Sequence, residues 1–517
     1  MINYGQPIFW IIAVIYVVIM LVLGIQANRT SKTTSDFWIA GRNLGPLAVG
    51  MSMFATMLSA SGYVGSTSSG YSVGLAFIWL SLGACCGLLV FNMVIGPRLW
   101  HVGKKHGLYT VSEYITKRFD SPLIGCTLAV GTAIFVAVVL YGQFKYTAIM
   151  MEVITGWNYI PALLLALVII TSYTVGGGMK AVVWTDVIQG IIMVGGALLL
   201  IIFSIKNAGG VVAMNATVTE VAPKTMQWCG TYSAGFGLSW VFLMCFNYNA
   251  TPYTVQRAFM AKNAKTFKSV LVMTMIAYFI VNMMKVTGLA VRAMAANGQM
   301  VLPESMDYLF PYLAITIFPG WLAAVLLVTA LAAIMSTGDS LLMNFGTLFS
   351  NEIYKKYVDK DADEQKLLRV TRWSIFGAVL VTAVFGIYEK VSGISIPIIY
   401  YIVQLGTGGL TTLYLPGIVY GLFSKRISAK GIFSAQIIGF VVVVAAFFAR
   451  NGYMGDAVKA AYFTTPLTLW GFHEGALGSI VALIVAPVVS LFTKAPSEEY
   501  VREWSPRKIR KAVGKGC

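Results

Sequence analysis

Long apolar blocks alternate with short polar connectors along nearly the whole chain. The first, Ile8 to Ile25, carries no charge over 18 residues, enough for a tilted membrane helix. Thirteen spans are predicted, near 8–25, 44–68, 75–97, 122–150, 159–176, 181–205, 231–250, 268–290, 310–345, 369–388, 395–421, 431–449 and 474–493. Two of them lose their apolar continuity halfway. The second contains "MSMFATMLSASGYVGSTSSGY" and the seventh "FLMCFNYNATPYTVQR". Ser, Gly and Pro at such depth serve close packing or a kink, or else mark broken helices lining a cavity. Breaks in matching spans of two halves point to a transport site. The expected fold is an all-α polytopic membrane protein. It forms one transport domain over 1–517, with repeats about 44–206 and 231–422, further helices over 431–493 and a tail from 494.

Composition agrees: 58% of residues are hydrophobic and 11% charged. The first block lacks a basic leader and a cleavage site, so it is expected to be retained. The net charge of +17 would suit nucleic acid, but most of the 37 Lys and Arg fall in alternate loops and the tail. That is the positive-inside pattern, so no nucleic-acid partner is expected. It predicts the N-terminus outside and "PRKIRKAVGKGC" in the cytoplasm, in a plasma membrane, bacterial inner membrane by preference. The six Cys match no zinc spacing and read as packing, and three His are too few for a multi-His redox centre.

Several segments resemble the sodium/solute symporter family: "DFWIAGRNLGP" (36–46), "TVSEYITKRF" (110–119), "YTVGGGMKAVVWTDVIQGIIMVGG" (173–196), "QRAFMAKN" (256–263) and "LAAIMSTGDSLL" (331–342). The resemblance covers about residues 5 to 495. It implies a LeuT-like five-plus-five inverted repeat, alternating access and solute import driven by Na+, with no enzyme activity. It also implies a sodium site made by the carbonyls of Ala55, Leu58 and Ala333 and the hydroxyls of Ser336 and Thr337. Ser336 lies one helical turn after Ala333, on the same face. Taken alone, both hydroxyls read equally well as bonded to the preceding turn.

An acid at membrane depth needs a partner or a function. Asp339 and Ser340 follow Ser336 by about one turn, and some family members hold a second ion between such hydroxyls and an acid matching Asp186. The resemblance thus makes Asp186, Ser336, Asp339 and Ser340 a second cation site or an exit path. Asp339 departs by standing where those members have a hydroxyl. A buried, protonated or Lys-paired Asp339 is the alternative.

The solute is expected between the breaks, near Met57, Ser59, Ser61, Gly62 and Tyr63 on one side and Asn247, Tyr248 and Thr251 on the other. Sugar-carrying relatives place amides and carboxylates along the first break, which this chain lacks. Lys145 and Lys285, both inside spans, suggest an anionic group, although either can snorkel or pair with an acid. A small carboxylate is expected: a monocarboxylate, a pantothenate-like acid or an amino acid. The alternatives are a sugar or other neutral solute, or a channel or polytopic enzyme.

Overall fold

The computed structural model describes residues 5–393 and 398–504, with no side chain from 398 to 404. The basic end of the tail, 506–517, lies outside the described residues. Among them no strand forms, and a lone bridge joins Leu44 to Ala261. Among the described residues, nine helical runs are long and apolar enough to cross a membrane unaided. The run Tyr159–Asn207 kinks at Gly178 and makes two crossings. The run Gly65–His106 includes the far half of a crossing begun by Pro46–Met57. With the helices Ala234–Ala250 and Ile398–Phe423, the described residues yield the thirteen crossings expected.

One boundary differs. The span drawn over 310–345 is two helices, Leu309–Ile317 and Gly320–Leu348. Pro319 has no N–H to continue a helix and instead caps the second. The membrane-facing surface keeps its apolar side chains exposed, Ile11, Val168 and Val384 among them. The five described cysteines are free, but Cys86 and Cys126 are exposed rather than packed in the core.

Glycine sets two of the helix contacts around the broken crossings. Gly178, at φ +61°, needs a conformation that L side chains avoid, and a Cβ there would stand 2.6 Å from the Phe37 ring. The "GGG" signature therefore seats the "DFW" helix against the kink. Gly70 and Gly288 let backbones touch, since a Cβ on Gly70 would overlap the carbonyl oxygen of Lys285. This crossing holds Lys285 against the far half of the broken second helix.

Candidate functional site

The second crossing is helical to Met57, leaves helical geometry at Leu58 (ψ 79°) and Ser59 (ψ 175°), and resumes at Ala60. The seventh ends at Ala250, and Thr251 is extended (ψ 125°) because Pro252 disfavours helical geometry before it. Each break frees backbone groups that must find partners. The Ala55 carbonyl accepts from the Ser336 hydroxyl at 3.0 Å, and the Thr56 carbonyl from Thr337 at 3.1 Å. Both hydroxyls also reach the Ala333 carbonyl, at 3.0 and 3.4 Å. Carbonyl and hydroxyl oxygens thus converge across the two helices, a donor set that suits a hard cation. Leu58 stands beside them, sharing the wall of one cavity with Thr337.

That cavity is also lined by Met57, Ser59, Ser61, Gly62, Asn247 and Tyr248, six of the expected solute residues. Three others turn elsewhere. Tyr63 donates to the Met193 carbonyl at 3.0 Å, deep between helices. Thr251 is buried and closes back on the Asn247 carbonyl at 2.9 Å. Lys145 is paired with Glu389 at 2.8 Å, beside the Tyr141 hydroxyl, and is absent from the cavity wall. Its expected solute role is therefore corrected: this lysine has an internal acid. Lys285 does line the cavity, with its Nζ donating to Asn282 at 2.9 Å and 5.9 Å from the Phe77 ring centroid. Among the described residues, no carboxylate lies within ion-pair distance of it.

Nearer the basic loops, the expected second cation cluster is divided. Asp339 accepts from the Tyr173 hydroxyl at 2.9 Å. Asp186 accepts from Ser52 at 2.6 Å and from Arg257 at 3.4 Å. The same guanidinium donates to Thr56 at 2.7 Å and Ser340 at 2.5 Å. Arg257 thus lies against both Asp186 and Ser340, while Asp339 turns to Tyr173. The arginine was visible only as part of "QRAFMAKN". Its loop is fixed by the bridge through which Leu44 donates to Met260 at 3.1 Å and accepts from Lys262 at 2.9 Å. Two of the motif segments therefore meet beneath the site.

Known proteins share this fold. A solved Na+-coupled sialic acid symporter, in a substrate-bound outward-open state, superposes with a TM-score of 0.78 at 22% identity, covering 96% of this chain and 100% of that one. The sodium/glucose cotransporter of Vibrio parahaemolyticus is 27% identical, with 83% of this chain and 82% of that protein covered. The sodium/pantothenate symporter of Escherichia coli is 25% identical over 83% and 88%. The model of the sodium:solute symporter family matches residues 37–439, and the chain belongs to that family.

Proposed function

We propose that this symporter carries a small carboxylate inward with sodium, bound between the two breaks. The observation that carries the reading is Lys285, a buried cation on the cavity wall with an amide and a ring for company but, among the described residues, no acid. A bound carboxylate would supply the missing charge, since an unpaired ammonium at membrane depth is costly. Ser59, Ser61, Asn247 and Tyr248 would complete the solute's polar contacts. The pantothenate symporters among the relatives support this class, and the glucose cotransporters keep a neutral solute as the second reading.

Sodium takes the oxygens of Ala55, Leu58, Ala333, Ser336 and Thr337 in this reading. Asp186, Asp339 and Ser340 line its way out, and Arg257 acts as a tethered cation that closes that way. The cavity wall reaches Val73 and Tyr232, away from the basic loops. By the positive-inside pattern the basic side is cytoplasmic and the N-terminus lies outside, in a bacterial inner membrane. The two repeats about 44–206 and 231–422 would rock around the site. Uptake into proteoliposomes, driven by sodium and screened with carboxylates against sugars, tests the proposal. Competition by sugars alone would overturn it.

A further inference from the structure

In an unbroken helix the Ala60 N–H would bond the Thr56 carbonyl four residues back. Here the two are parted, and each has found a side chain. The Thr56 carbonyl takes the Thr337 hydroxyl, and the Ala60 N–H donates to Oε1 of Gln143 at 2.9 Å. Gln143 lies in the helix Pro122–Thr155 and is fully buried. Its Nε2 has no partner among the described residues, so it carries the cost of an unpaired buried donor. An apolar side chain would avoid that cost. The physical reason for a carboxamide at 143 therefore lies in its oxygen.

We propose that Gln143 is a positioning residue for the sodium site. By holding the Ala60 N–H on a neighbouring helix, it keeps residues 58 and 59 unwound and the carbonyls of Ala55 and Leu58 open to the ion. Without it, the acceptor that a continuous helix offers that N–H is the Thr56 carbonyl. The helix then closes across the break, and those carbonyls return to the backbone ladder. This inference rests on the proposed sodium site.

Sodium alone is the probe, read as 22Na+ binding and as sodium-dependent thermal stabilisation of the full chain in nanodiscs. Gln143→Met should weaken apparent sodium affinity about tenfold or more, while the melting temperature without sodium stays at or above that of the wild type. Gln143→Glu keeps an acceptor oxygen and should bind within about threefold of wild type. Adding Ala60→Pro to Gln143→Met should restore affinity, because proline has no N–H with which to close the break and suits the first helical position. Wild-type affinity in Gln143→Met, or failure of both the Glu variant and the proline rescue, would overturn the inference. Ser336→Ala/Thr337→Ala tests the underlying site separately: if that variant binds sodium normally, the site assignment fails whatever Gln143 does.

Discussion

The guanidinium of Arg257 lies 3.4 Å from the carboxylate of Asp186, and both side chains are cut off from solvent. Ser52, Thr56 and Ser340 share the same guanidinium, so one residue joins the near half of the second crossing to the kinked run 159–207 and the helix 320–348. On the proposed exit path, such a clasp would have to open before sodium could pass to the basic side.

Removing one member of a buried pair strands the other, at a cost of about 3–5 kcal/mol. Arg257→Ala should therefore lower the melting temperature sharply. Arg257→Ala/Asp186→Ala should recover part of the loss, because no lone charge remains. Arg257→Lys should fold but transport poorly, since a point charge cannot span the same set of oxygens. An Arg257→Ala protein that melts like wild type would rule out the clasp.

Ser336→Ala/Thr337→Ala deletes two of the proposed sodium ligands. Sodium affinity measured by uptake should fall about tenfold or more, a loss of roughly 1.4 kcal/mol, while the fold persists. Unchanged sodium dependence would reject the assignment.

The two intramembrane lysines should behave oppositely. Lys285→Gln keeps a donor but loses the charge facing the cavity, so the KM for a carboxylate should rise about tenfold or more with little change in melting temperature. Lys145→Met leaves Glu389 with the Tyr141 hydroxyl but no counter-ion and should cost stability, while solute KM in the surviving protein stays close to wild type. If Lys145→Met shifts KM and Lys285→Gln does not, the solute assignment is reversed.

Asp339→Asn preserves an acceptor for Tyr173 and removes an ionisable group from the proposed exit path. Because Arg257 already pairs with Asp186 and donates to Ser340, sodium dependence should have a Hill coefficient near unity in both proteins, with slower turnover in the variant. A coefficient well above one in wild type that drops in Asp339→Asn would establish a second bound cation.

The sequence by itself determined the membrane class, the crossings and the place of both breaks. Each rests on local properties: uncharged blocks long enough to span, Pro252 in the seventh block, and Ser and Gly where Leu and Val otherwise stand. It also placed Ser336 and Thr337, since residues three or four apart on a helix share a face with Ala333. Partner choice was not local. Lys145 and Lys285 look alike along the chain, yet one meets Glu389 and the other meets Asn282, the Phe77 ring and a cavity. Tyr63 and Ser61 are two residues apart, but helical geometry sends one between helices and the other into the cavity wall. Arg257 meets Asp186 across 71 residues and Ser340 across 83. Only packed helices bring such groups within hydrogen-bond distance, and at membrane depth that distance decides whether a charge is a latch, a strut or a binding site.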